Sequence, residues 1–339
     1  AGGSLPVSAA PALAAVAAPS AQAPAGALRC RLDADRWHFQ HGPIDCIVTA
    51  SGETTAVAGA IETAWQRFQT LLAELVAELP LLRADLSAGA VATPRGPVAR
   101  RMVAACRPHG GQGRFITAMA AVAGGVAEEL IGAFDDPRIA RAAVNNGGDI
   151  ALRLAPGESF EVGVCADPRR GLAGGPLDGC FTIAAASPVR GIATSGWRGR
   201  SFSLGIADSV TILATSAATA DAAATIVANA VDADDARIVR APARAIRDDS
   251  DLGDRLVVRA VPPLPQALVE AALARGVGEA RAQVDAGRII GAVLSLQGRW
   301  RVVGDVGAAN GIGVDVDATL ARPMAKPPRL RGERPVAAC

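Results

Sequence analysis

Residues 143–154 read AVNNGGDIALRL: an apolar run, two amides, two glycines, a carboxylate and a second apolar run. Asn-Gly is a strong hairpin signal, because both central positions of a type I′ turn take positive φ and glycine does so without strain. The stretch reads as strand-like over 143–154 with a tight turn inside it. Similar pieces follow at 160–165, 180–185 and 209–215, linked by Gly/Pro-rich turns such as PRRGLAGGP at 168–176. Further upstream, RCRLDADRWHFQHGPIDCIVTA at 29–50 has two β-like runs around a His-Gly-Pro turn. Near the far end, 289–296 and 300–303 flank Gln297-Gly298 as another hairpin.

Helical patterns interrupt these strands without a regular βαβ alternation. Ile61, Trp65, Phe68, Leu72, Leu75 and Leu79 recur at three- and four-residue steps, predicting a helix capped by Thr54 or Thr55 and ended by Pro80. Residues 81–113 are rich in Arg, Pro and Gly and read as a surface segment. FITAMAAVAGGVAEELIGAF at 115–134 reads as a buried helix started by Thr117. Gly124 and Gly125 inside it cost about 1 kcal/mol each relative to alanine, so either another backbone approaches closely or the helix starts later. Further helices are expected at 218–231, 265–275 and 278–286. The fold class is α+β, with largely antiparallel mixed sheets flanked by helices, rather than a doubly wound sheet.

The chain has 339 residues, 50% of them hydrophobic, enough for a sizeable core. With 3% aromatic residues and no Tyr, there is little material for stacking on single-stranded nucleic acid. Lys and Arg number 34 against 33 acids, so charge gives no reason to expect a nucleic-acid or membrane partner. A small-molecule substrate is the better expectation. Cys30, Cys46, Cys106, Cys165, Cys180 and Cys339 are scattered without metal spacing, which reads as reduced thiols of a cytoplasmic protein. Residues 1–27 lack charge before Arg29 and read as a disordered leader, 28–305 as one domain, and 306–339 as a mobile C-terminal tail.

Three constellations could carry chemistry. TADAAATIVANAV at 219–231 puts Asp221 and Thr225 one helical turn apart on one face, a hard-oxygen pair suited to Mg²⁺. The competing reading is an acidic residue in a first helical turn, favoured there by the helix dipole, with the Thr packed on the preceding turn. GIATSG at 191–196 sets Thr194 and Ser195 between glycines after a short strand, as an anion-binding nest or an exposed turn. His38 and His41, with Asp45 beyond, suit a substrate-facing or structural role better than a metal site, since alternate strand positions face opposite ways. His109 falls in RPHGGQG and reads as a loop residue.

The order of a buried glycine-containing helix, NNGGD, ATSG, then SVTIL running into ADAAAT resembles the ApbE superfamily, best known for FAD:protein FMN transferases. A branch of it lacking a known activity is similar over about residues 29–305, including HFQHGPID at 38–45, ELPLLR at 78–83 and GPVARRM at 96–102. The resemblance implies an ApbE-like, T-fold-like architecture. It also implies Mg²⁺ or Mn²⁺ at Asp221 and Thr225, which match the family's D-A-L-A-T side-chain ligands, with MAAVAG at 119–124 supplying a backbone carbonyl. Asn146, Gly147, Gly148 and Asp149 match N-x-G-G-D, which lies against the nucleotide, and 193–196 matches A-T-S-G. Thr194, Ser195 and Gly196 join them as expected cofactor-binding residues. Two departures stand out: the family's Lys in A-K-G is Ala123, and the H-x-x-D-P-x-T-G block is missing where Ser203-Leu204-Gly205 runs almost directly into Asp208.

These readings lead to a metal-assisted transferase or hydrolase that binds a flavin- or pterin-related molecule, or another phosphorylated or carboxylated metabolite, and a homodimer is compatible with them. Asp208, His38 or His41 is expected as the base in place of the missing block. The alternatives are a flavin transferase with altered catalytic residues, using FAD, and a non-catalytic flavin- or pterin-binding accessory protein of cofactor biosynthesis.

Overall fold

In the computed structural model, which describes residues 26–89, 92–111, 114–164, 179–304, 306, 312–315 and 336–338, the turn after Asn146 is a two-residue hairpin. Gly147 and Gly148 have φ of 68° and 111°, and Asn146 pairs with Asp149 across the turn. The flanking strands belong to a nine-stranded sheet. In chain order these are β1 (Leu28–Arg31), β2 (Arg36–His41), β3 (Ile44–Gly52), β4 (Ile139–Asn146), β5 (Asp149–Leu154), β8 (Gly191–Ser195), β9 (Ser209–Ala214), β12 (Gly291–Leu296) and β13 (Arg299–Gly304). That is also their spatial order, and every neighbouring pair is antiparallel. A second sheet has the order β14 (Ile312–Asp315), β7 (Gly179–Ala184), β6 (Ser159–Val164), β15 (Val336–Ala338). β10 (Val239–Pro242) and β11 (Leu256–Ala260) form a small ribbon that sequence patterning missed.

Side chains alternate across a strand, so each strand of the large sheet feeds two cores. On one face Phe39, Cys46, Val48, Ala142, Val144 and Ala151 pack under helices α1 (Thr54–Ala77), α2 (Pro97–Cys106) and α3 (Val122–Ile131). Further along that face, Ala193, Val210, Ile212 and Leu294 pack under α4 (Ala217–Ala230) and α5 (Gln266–Asp285). The opposite face buries Ala143, Ile150, Leu152, Ile192, Leu213 and Val293 against Phe160, Val162, Phe181 and Ile183 of the second sheet. The middle of the large sheet is therefore covered on both sides, which is why β9 and β12 are buried along their whole length.

Several sequence expectations are corrected. α1 is capped by Glu53, whose carboxylate accepts from the Thr55 and Ala56 N–H groups, while the Thr55 hydroxyl donates to that same carboxylate; the helix ends at Ala77, before Pro80. The expected surface segment contains α2, whose Val98, Met102 and Cys106 are buried at four-residue steps; its arginines hid that pattern. The helix expected over 115–134 begins as a 3₁₀ turn at Ala118–Ala121 and becomes α-helical at Val122. The two C-terminal helices are one, because Gly276 is the point at which α5 closes on Val231 and Leu294 rather than a break. Within the expected tail, 312–315 pairs with β7 and 336–338 with β6. Residues 1–25 of the expected leader lie outside the described residues, as do Cys165 and Cys339; Cys30, Cys46 and Cys106 are free thiols. No helix among the described residues is long and apolar enough to cross a membrane.

The antiparallel registers gather the chemistry-bearing segments at one end of the sheet. His41 opposes Ile44, Cys46 opposes Asn146, Ser195 opposes Val210, and Ser209 opposes Ser295. The β2–β3 and β4–β5 turns, the end of β8 and the start of β9 therefore share an edge.

Candidate active site

Two helices and the hairpin build the site. α4 starts directly after β9, and its first turn is pressed between β8 and α3. A Cβ on Gly191 would fall 2.1 Å from the Ser216 carbonyl carbon, and one on Gly124 would fall 2.2 Å from the Ala217 oxygen. That contact answers the glycine anomaly: Gly124 is the point where α4 crosses the start of α3. The two helices then cap each other. Asp221 Oδ2 of α4 accepts from the Gly124 N–H at 2.9 Å, with the Ala123 N–H contributing, while Glu128 Oε2 of α3 accepts from the Ala218 N–H at 3.0 Å. Asp221 thus sits at the N-terminus of α3, beside the 119–124 segment that the family resemblance sets with it. Thr225 follows one turn later on α4, partly buried like Asp221.

The hairpin comes in from the sheet. Asn146 lies on the helix-covered face; its Nδ2 donates to the Ala123 carbonyl at 3.2 Å and its Oδ1 accepts from the Asp45 N–H at 3.4 Å. Asn145 Oδ1 accepts from the Gly148 N–H at 2.8 Å and fixes the turn. Asp149, 9% exposed, shares the face of Ala151, and its Oδ1 accepts from the Thr194 N–H at 3.2 Å. Burial pushes its carboxyl well above the ordinary range, and repulsion from Asp221 pushes it further, against the opposing pull of the Thr194 N–H and the Arg200 guanidinium. Burial also raises Asp221, to about 7, despite the two N–H groups that favour its charged form. Repulsion of this kind couples the two groups, so charge on Asp221 makes the Asp149 proton harder to lose.

The other expected residues fall in different places. GIATSG is not a nest: it is largely strand β8, with the Thr194 N–H committed to Asp149 and the Thr194 hydroxyl 2.9 Å from that of Thr211 on the opposite face. Ser195 stays on the face of Ala193, and Gly196 packs against the Asp208 carbonyl, where a Cβ would come within 2.4 Å. Asp208 is an anchor. Its Oδ1 accepts from Trp197 Nε1 at 3.1 Å and Arg198 Nε at 2.9 Å, and its Oδ2 accepts from the Gln297 N–H at 2.6 Å. His38 lies on the face opposite Asn146, with its Nε2 2.7 Å from Asp45 Oδ1. His41 turns toward α1, its ring 6.4 Å from that of Phe68. Neither ring is brought to the carboxylate pair. His109, read as a loop residue, is buried, and that burial lowers its pKa to about 4.

One member of the site escaped sequence reading. Arg200 Nη2 lies 1.8 Å from where a Cβ on Gly147 would be, so the guanidinium rests on the hairpin. Its charge favours ionisation of both Asp149 and the buried Cys46 thiol, which burial otherwise pushes up. Nothing in WRGR marks Arg200 out from Arg198, since only the loop's path decides which arginine reaches the hairpin.

The donors suit a hard cation. Asp221, Asp149 and Thr225 are oxygen ligands, and positive charge would relieve the repulsion between the two carboxyls. No group of three His, Cys, Asp or Glu among the described residues is placed to hold a metal, but Mg²⁺ commonly takes only one or two carboxylates and keeps its waters.

Comparison with known proteins identifies the family. A UPF0280 protein of Methanopyrus kandleri is 35% identical over 165 residues, covering 48% of this chain and 61% of that protein. One of Methanosphaerula palustris is 36% identical over 140 residues, covering 40% of this chain and 54% of that protein. The chain thus spans between half and two thirds of these curated relatives. Among solved structures, the ApbE protein of Thermotoga maritima is 13% identical with a TM-score of 0.43, covering 81% of this chain and 99% of that one. The flavin transferase ApbE of Vibrio cholerae is 13% identical with a TM-score of 0.36, covering 82% of this chain and all of that one. A family model described as "AbpE bacteria" matches residues 29–302, a span that takes in nearly all of the large sheet, α1 to α5 and every residue of the site, and the chain belongs to that family.

Proposed function

We propose that the protein is an enzyme that binds an anionic small molecule, flavin- or pterin-related or another phosphorylated or carboxylated metabolite, beside a divalent cation at this end of the sheet. The observation that carries this reading is the carboxyl pair of buried Asp149 and partly buried Asp221, set between the glycine hairpin and the N-terminus of α3. Asp221, Thr225 and Asp149 would hold Mg²⁺ or Mn²⁺, which supplies Lewis acidity and a template for the anion. Asn146 fixes the hairpin against α3, and Gly147 leaves the room that the Arg200 guanidinium occupies.

In this reading the carboxyl pair itself holds a proton until the cation takes its place. Asp149 keeps its proton to higher pH than an ordinary carboxyl, because burial and Asp221 disfavour its charge. That role replaces Asp208, whose three donors commit both its oxygens, and His38 and His41, which point elsewhere. The name of the Vibrio cholerae structure makes flavin nucleotides the first ligands to try. Thermal shift with FAD and FMN, with and without Mg²⁺, tests the proposal. The expected result is Mg²⁺-dependent stabilisation of the wild type that Asp221→Ala abolishes; an equal shift in that variant would refute the site. Mass spectrometry of a Thr-containing acceptor incubated with FAD and Mg²⁺ separates flavin transfer, which leaves an FMN adduct, from binding alone.

A further inference from the structure

Arg200 is an exposed cation on a rigid base. Its loop is fixed at several points: the Trp197 N–H donates to the Ala207 carbonyl at 3.0 Å, the Gly199 N–H donates to the Gly196 carbonyl at 3.1 Å, and Asp208 holds both the Trp197 indole and Arg198. Arg198 is occupied twice over, since its guanidinium also lies 4.5 Å from the Trp197 ring centroid. Arg200, two residues on, leaves the turn and lays its guanidinium across Gly147. Among the described residues it has no hydrogen bond and no ion pair, although Asp149 is close enough to feel its charge. Five N–H donors in a planar fork are therefore free beside the hairpin that carries Asp149, with Asp221 behind it. The position of Gly147 matters as well: a side chain there would occupy the space the guanidinium fills.

Negative charge on the carboxyl pair repels an anion, and a protein cation beside the hairpin offsets that repulsion. We propose that Arg200 is the anion-binding residue of this site, taking the phosphoryl or carboxylate group of the ligand in a bidentate contact over Gly147. This assignment rests on the proposed function for its biological meaning, but the contact itself needs no metal. Charge-assisted fork contacts to oxyanions are among the stronger hydrogen bonds, and Arg serves them better than Lys because its donors are fixed in one plane.

Isothermal titration of the full chain in EDTA with inorganic phosphate, and separately with malonate, tests the assignment and distinguishes the two anion classes. The expected result is binding of at least one of them, weakened roughly tenfold to a hundredfold by Arg200→Ala, partly retained by Arg200→Lys, and weakened by added salt. Asp221→Ala should leave this binding in place or tighten it, because it removes a repelling charge. Failure of the metal reading would appear as loss of cation binding alone, with anion binding intact. Equal anion affinity in wild type and Arg200→Ala, or no binding of either anion by the wild type, would overturn the assignment. Circular dichroism of Arg200→Ala should match the wild type, since the side chain holds no structural bond.

Discussion

Asp221→Asn should make the metal-free protein more stable, and only above the pH at which an ordinary carboxyl ionises. A carboxyl whose folded pKa is raised binds its proton more tightly in the native state than in the unfolded chain. Stability therefore falls as pH rises from the ordinary value toward the raised one, and the loss is complete above it. With 3.8 as the ordinary value and about 7 in the fold, the ceiling on that loss is about 4 kcal/mol. Asp221 is only partly buried and water reaches it, so about 2 kcal/mol is the working figure. For a chain of this size that is about 4 °C in Tm. Asn keeps an oxygen to accept from Gly124 and lacks the charge, and without Asp221 the repulsion acting on Asp149 also disappears. The assay is differential scanning fluorimetry in EDTA from about pH 4 to pH 8, reading the Tm difference between variant and wild type. The difference should be near zero at the acid end, grow to about 4 °C by pH 7, then level off. A constant difference across the range, or a wild type more stable than the variant at the alkaline end, would refute the reasoning.

Other substitutions probe the frame around the pair. Gly124→Ala sets a Cβ against the Ala217 carbonyl, a backbone atom that cannot turn away, so a loss of about 3 kcal/mol or more is expected in urea denaturation. Asp208→Ala removes the carboxylate that Arg198, the Trp197 indole and the Gln297 N–H share and should cost about 3 kcal/mol in the same assay, while leaving metal affinity within about twofold. His38→Ala removes a partly exposed pair with Asp45 on the far face and should cost less than about 1 kcal/mol, with ligand-induced thermal shifts unchanged.

The sheet and its hairpins were legible because their signals are local. Asn-Gly-Gly-Asp demands a turn wherever it stands, Gln297-Gly298 likewise, and the periodicity of α1 survives any context. α2 was not legible, since arginines at 100 and 101 break the apolar count while Val98, Met102 and Cys106 still face inward. Of the site, residues 146–149 and Asp221 were found from motif order, and the structure brings them together. What the sequence could not supply is direction. Thr194 turns to the far face by strand alternation, Asp208 is consumed by partners within its own loop and on Gln297, and Arg200 reaches Gly147 only through the path of that loop. Each of these is settled by tertiary packing, which leaves no mark in residue spacing.

The account stands most directly on whether Asp149 and Asp221 form one cation site. Titration of the metal-free protein with Mn²⁺, followed by the loss of free-ion electron paramagnetic resonance signal, measures it. One bound ion per chain is predicted for the wild type, with affinity reduced about tenfold or more by Asp221→Asn and by Asp149→Asn separately. Undiminished Mn²⁺ binding in both variants, or no binding by the wild type at neutral pH, would contradict it.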